Sequence, residues 1–157
     1  MKIHLLLFSI VMVLGLSSCL KDDYVDPTVQ AQKDDAIIVK FLTDNKISAI
    51  KHSSGLYYQI IQSGAGNITY SANTTVTSNY TGRLLSGQVF DKSTTQPFAF
   101  KLGQVIVGWQ IGVPLIQKGG KIRLFIPSGY GYGPQGSGPI PANSVLDFDI
   151  ELVDVQN

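Results

Sequence analysis

Leu146-Asp147-Phe148-Asp149-Ile150-Glu151-Leu152 alternates without a break, apolar at 146, 148, 150 and 152 and acidic at 147, 149 and 151. A strict period of two marks an antiparallel strand with one face in a core and the other in water. The three acids therefore read as a solvated face without a chemical role. The same rhythm recurs upstream. Leu56 to Ile61 forms a first strand, ended by Gly64-Ala65-Gly66, and Thr75 to Leu85 a second, with Val76, Ser78 and Tyr80 on one side. Phe98-Ala99-Phe100 alternates ahead of Gly103, and Lys121 to Ile126 sets Ile122, Leu124 and Ile126 on one face. Between these strands only Val105 to Gln117 reads as helix. Pro114 should bend or end it, because proline lacks the amide hydrogen a helix interior uses. Several strands with one short helix predict an α+β domain, a curved antiparallel sheet wrapped over that helix.

Composition agrees with a single globular domain and a tail. The 157 residues are 44% hydrophobic and 15% charged, with 7 Phe, 7 Tyr and 16 Gly, a mixture that favours sheet and argues against disorder. Basic and acidic side chains balance once Lys2 is set aside, and no basic run occurs, so nucleic acid is not an expected partner. Cys19 is the only cysteine, which excludes a disulfide framework and a thiolate metal cluster.

Residues 1–18 read as an export signal: Met1-Lys2, an apolar run from Leu5 to Leu16, then Ser17-Ser18. The run is too short for a comfortable membrane span. A buried N-terminal helix is the rival reading, which Lys2 and the small boundary residues disfavour. Leu16-Ser17-Ser18-Cys19 resembles a bacterial lipobox, which implies acylation of Cys19 and a lipid anchor in the bacterial outer membrane, on its periplasmic or cell-surface face. Two or three acyl chains hold a protein to a bilayer stably where one does not. Lys21-Asp22-Asp23 resembles the surface-export signal of some outer-membrane lipoproteins; a solvated tether is the equal alternative. Residues 19–27 form that acidic tether, and residues 28–52 a helical segment. Thr28 is a candidate cap, and Ala36, Ile37, Val39, Phe41 and Leu42 give a loose helical period. This helix is a spacer or packing element, docked on the domain or on a second copy as a weak dimer.

Standard catalytic sets are missing. His4 falls in the signal and His52 just before the domain, so the domain lacks the histidines of a Ser-His-Asp triad or of a metal site. Lys118-Gly119-Gly120-Lys121 lacks the spacing of a phosphate loop and reads as a hairpin turn. No metal and no cofactor are expected. What remains is aromatic. The concave face should collect Tyr80, Phe90, Phe98, Trp109, Tyr132 and Phe148, with one inward-leaning acid, Asp91. Such an inventory suits a reaction that needs only a shaped apolar pocket.

Tyr80-Thr81-Gly82, Gly87-Gln88-Val89-Phe90-Asp91 and Pro97 to Gly103 follow one another in a pattern that resembles the FKBP-type peptidyl-prolyl cis-trans isomerases. So do Val105-Ile106-Val107-Gly108-Trp109 with Gly112, Ile126-Pro127, Tyr130-Gly131-Tyr132-Gly133, Ile140-Pro141 and Phe148 to Leu152. The pieces run in family order over residues 55–155. The resemblance implies a half-barrel around the short helix with a pocket between them. Trp109 would be its floor, Tyr80, Phe90, Phe98 and Phe148 its walls, and Val105, Ile106 and Ile140 its aliphatic rim. Asp91 and Tyr132 would supply polar contacts, and the Ile106 amide would bind a carbonyl. For Phe100, Leu124 and Ile150 a core role is preferred; for Asp91 the rival is a loop-capping acid. The implied partners are X-Pro segments of exported proteins, with macrolides as an inhibitor class. The implied role is assistance to folding in the envelope, with a weakly catalytic proline-peptide-binding chaperone as the alternative. One departure stands out: only Lys92 to Gln96 separate Asp91 from Pro97, without the arginine that some members pair with the acid, leaving Lys92 or Tyr80 for that task.

Overall fold

A computed structural model describes residues 26–157; the signal, Cys19 and most of the tether lie outside the described residues. Helix α1 spans Pro27–Asp44. Strands β1 (Ile50–Lys51), β2 (Tyr57–Gln62), β3 (Thr75–Leu84), β4 (Val89–Lys92) and β5 (Phe98–Lys101) follow. Helix α2 (Val107–Gly112) precedes β6 (Lys121–Ile126) and β7 (Leu146–Gln156). The sheet is antiparallel in the order β1-β2-β6-β7-β3-β4, with β5 also paired to β3. The curved sheet over one short helix is the predicted α+β architecture. Strands β1 and β4 were not anticipated, since two residues are too few for a period and Val89-Phe90-Asp91-Lys92 does not alternate.

The register explains the two faces. Tyr58, Leu124, Phe148 and Gly82 form one row across β2, β6, β7 and β3. Their face packs on α2 in the main core with Leu56, Val76, Trp109, Val113, Ile122, Ile126, Ile150 and Leu152. The neighbouring row, Tyr57, Phe125, Asp147 and Arg83, points the other way. There a second core forms from Ile38, Leu42, Tyr57, Phe125 and Val145. Ile38 and Leu42 thus dock α1 on the domain's own convex face, each burial contributing about 1.5–3 kcal/mol. Two details differ from expectation. The helix is capped by Asp26, whose carboxylate accepts the Thr28 amide at 2.8 Å, and not by Thr28. Pro27 can open the helix because its missing amide hydrogen has no partner to lose there. Residues beyond Asp44 leave the helix, and β1 joins the sheet edge.

α2 ends at Gly112 and continues as a 3₁₀ turn over Val113–Leu115, where Pro114 sits. The turn at Gly119, with φ at +78°, feeds β6 from this helical segment, so it joins helix to strand and is not a hairpin.

Asp147 corrects the solvated reading of the last strand. It is 1% exposed. Arg83 Nε donates to it at 2.8 Å, and Arg123 donates through Nε at 2.9 Å and Nη2 at 2.8 Å. Arg123 also lies over the Phe125 ring at 5.0 Å. Alternation separated the faces correctly, but Arg83 and Arg123 from the two neighbouring strands converge on Asp147 there; Asp149 remains open. Removing one member of a buried ion network strands the others, which typically costs 3–5 kcal/mol. Asp147→Ala should therefore lose about 3 kcal/mol in urea unfolding; a loss below about 1 kcal/mol would mean that solvent screens the cluster.

Candidate functional site

The concave face brings the predicted rings together around one indole. Trp109, on the first turn of α2, lies 5.2 Å from Tyr80, 5.3 Å from Phe148 and 5.2 Å from Phe100 between ring centroids. Phe90 meets Phe148 at 5.5 Å and Tyr80 meets Phe98 at 5.9 Å, also edge to face. These tilted contacts set the positive edge of one ring against the negative face of the next, adding about 0.5–1.5 kcal/mol per pair beyond burial. Trp109 is 4% exposed, whereas Phe98 is 46% exposed, so the cluster runs from a closed base to an open rim. The indole Nε1 is buried with no hydrogen-bond partner among the described residues. An unpaired donor of that kind costs about 1–3 kcal/mol.

Phe90 and Asp91 are adjacent, and regular alternation would send them to opposite faces. A bulge prevents this. Gly82 pairs with Asp91 and Arg83 with Val89, which leaves Phe90 as the extra residue in β4. Bulges re-aim side chains in this way. Phe90 reaches the Phe148 ring, and the Asp91 carboxylate accepts a hydrogen bond from the Tyr80 hydroxyl at 2.7 Å. Tyr80 thus fills the place the short loop left open. The Tyr80 phenol is pushed well above its ordinary value, by burial first, then by its bond to Asp91 and that residue's charge. The Tyr132 phenol is also raised, by burial first and then by the charge of Asp91.

Val105 and Ile106 lead into α2. The Ile106 carbonyl accepts the Trp109 amide at 2.9 Å and the Gln110 amide at 3.2 Å, while Gln110 Nε2 donates to the Val105 carbonyl at 2.8 Å. Both residues are half-buried against the main core, whereas Ile140 is buried at 6% exposed. Phe100, Leu124 and Ile150 are core residues, with Phe100 packed on the indole. Sequence reading missed Gly82 and Gln110. A glycine inside a strand was the available signal for the first: a Cβ there would lie 2.7 Å from Phe90 Cε2 and against Phe148 as well. Gln110 gave no signal, because its bond runs to a backbone carbonyl.

A single short helix closed under a curved antiparallel sheet, with rings around its indole, defines an α+β half-barrel with a concave aromatic site. The model of the family described as FKBP-type peptidyl-prolyl cis-trans isomerase matches residues 66–153. FkpA of Buchnera aphidicola, an isomerase of that type, is 47% identical over 109 residues, 68% of this chain and 43% of the relative. The crystal structure of FkpA from Escherichia coli superposes with a TM-score of 0.68 at 39% identity, covering 82% of this chain and 64% of that one. A peptidyl-prolyl cis-trans isomerase from Pseudomonas syringae gives 0.69 at 34% identity, covering 85% and 99%. This chain belongs to the FKBP-type peptidyl-prolyl cis-trans isomerase family. It spans about two fifths of the length of the curated relatives it matches.

Because its neutral form is favoured in the fold, Tyr80 adds stability that is present below the ordinary phenol value of 10.0 and is lost as pH rises through the higher folded value. Asp91→Ala removes a hydrogen bond and a charge that both raise it. Ultraviolet titration should then find this phenol ionising at lower pH than in the wild type; an unchanged curve would assign the shift to burial alone.

Proposed function

We propose that the chain is a peptidyl-prolyl cis-trans isomerase that assists folding of exported proteins, tethered by lipid at Cys19 to the bacterial outer membrane. The observation that carries this reading is the Trp109 ring cluster beside the Tyr80–Asp91 hydrogen bond.

Rotation about X-Pro is slow because it breaks amide resonance, with a barrier of ~18–20 kcal/mol. In the twisted state the nitrogen is no longer conjugated and the carbonyl oxygen carries less charge. Water solvates the planar forms better, so an apolar enclosure favours the twisted form by difference. Each ~1.4 kcal/mol of that difference accelerates rotation about tenfold. Trp109, Phe148, Phe98 and Tyr80 would enclose the proline ring. The Ile106 amide and Tyr132 hydroxyl would hold the flanking carbonyls, and Asp91 would keep the Tyr80 hydroxyl oriented through the bond at 2.7 Å. No nucleophile, metal or cofactor enters this scheme.

The second reading, a proline-peptide-binding chaperone with little turnover, draws on the exposure of Asp91 and on its pairing with a neutral phenol instead of a cation. A protease-coupled assay on an X-Pro peptide separates the two. Wild type should accelerate isomerisation, and Trp109→Ala and Phe98→Ala should each lower kcat/KM about tenfold, or ~1.4 kcal/mol of barrier. Phe98 is 46% exposed, so its variant should fold even where Trp109→Ala does not. Rates equal to wild type in a folded Phe98→Ala variant would sink the enzymatic reading. For the anchor, Cys19→Ala should abolish acyl labelling and move the protein from the membrane to the soluble fraction.

A further inference from the structure

We propose that Asp34 is a positioning residue for the isomerase site, acting from α1 through Ser128 on the loop that carries Tyr132; the proposal rests on the isomerase reading above. Asp34 is 1% exposed, a rare burial for a carboxylate. Its partners are uncharged. Oδ2 accepts the Ser128 amide at 2.8 Å and the Ser128 hydroxyl at 2.6 Å, and Oδ1 accepts Gln30 Nε2 at 2.7 Å. Hydrogen bonds to an ionised acceptor are about twice as strong as neutral ones. Burying a charge without a counter-charge is nevertheless a poor route to stability, since well-packed apolar residues do as well or better. What this carboxylate specifies is a location: it grips both polar groups at one position on the opposing segment.

That position opens the longest connection among the described residues, from Ile126 to Leu146. The connection holds Tyr132 and Ile140, and Ser128 stands four residues before Tyr132. Pro127 and Ser128 are buried at its base, and Tyr130 and Tyr132 pack against the main core. A cavity of about 570 Å³ lies behind the connection, walled by Pro127, Tyr130 and Pro134 on the loop and by Ala31 on α1. Beside that packing, hydrogen bonds from outside the loop pin its start: the Ser128 amide donates to Asp34, and the Tyr130 hydroxyl donates to the Ser54 carbonyl at 3.0 Å. Both anchors come from residues before the 66–153 stretch matched by the family model. Helix α1 therefore sets the base of the loop on the convex side, and the Tyr132 phenol meets the influence of Asp91 on the concave side. Misplacing a contact by about 1 Å can cost up to a hundredfold in rate, so a loose base is enough to weaken the site.

A double-mutant cycle in the full chain tests this. Asp34→Ala should lower kcat/KM for an X-Pro peptide about tenfold in the wild-type background. In Tyr132→Phe, where the hydroxyl is already gone, the same change should cost less than about twofold, because residues acting as one unit are not additive. Asp34→Asn keeps one acceptor oxygen and should recover part of the loss. Equal losses in both backgrounds, or no loss in either, would overturn the proposal. The milder Ser128→Ala keeps the backbone bond and covers the case in which Asp34→Ala does not fold. Its Tyr132 ring resonances should move relative to wild type, and unmoved resonances would overturn the proposal. An inactive wild type would sink the isomerase reading separately, and the resonances would then decide the positioning claim alone.

Discussion

Everything on the concave side depends on how closely the short helix Val107–Gly112 lies against the strand Lys121–Ile126. Two glycines permit it. A methyl at Gly108 would stand 2.7 Å from Ile126 Cδ1, and one at Gly112 would stand 2.6 Å from Leu124 Cδ2. With nothing between backbone and sheet, the helix sinks until its indole reaches Tyr80, Phe148 and Phe100 at once. Gly82 makes the matching space on the sheet side, where Phe90 and Phe148 cross. Three missing side chains thus shape the aromatic cluster as much as the rings do. The arrangement is tight because close-packed interiors leave little room for compromise.

The polar part of the site follows from an irregularity. Regular pairing would split Phe90 from Asp91, but the bulge at Phe90 turns both inward. The acid then meets Tyr80 from the neighbouring strand, and its charge bears on Tyr132 from the loop after β6. A site built from rings and hydroxyls needs no activated nucleophile. In the mechanism proposed above it would work by what it withholds, since solvent stabilises a planar amide more than a twisted one. The unpaired indole Nε1 in the same cluster is consistent with an enclosure that supplies few hydrogen bonds.

The two sides of the sheet divide the labour. The concave side holds the rings. The convex side holds α1, the Arg83–Asp147–Arg123 cluster and a small core around Phe125. Hydrogen bonds that Ser128 and Tyr130 donate to Asp34 and Ser54 then tie the convex side to the loop that returns to the site. The helix before the family region is in this way continuous with the domain. It is no loose spacer, although its exposed Val29, Ile37 and Val39 show that only part of its apolar surface is used.

Periodicity alone determined the long strands. Lys121–Ile126 and the run from Leu146 could be read because one face must be apolar over its whole length. The order of aromatic and glycine motifs was equally legible, and with it the family and the set of rings. Tertiary structure decided the rest, because alternation reports which face a residue takes and not what covers that face. Asp147 sits on the polar side of a half-buried strand, and only the pairing of β3, β6 and β7 brings two arginines onto it. Asp34 stands in a run of polar helix residues with no local mark of a partner, and only the fold brings it to Ser128, ninety-four residues away. The joint orientation of Phe90 and Asp91 depends on one unpaired residue in a four-residue strand. Such a bulge belongs to the register between strands, which no single segment encodes.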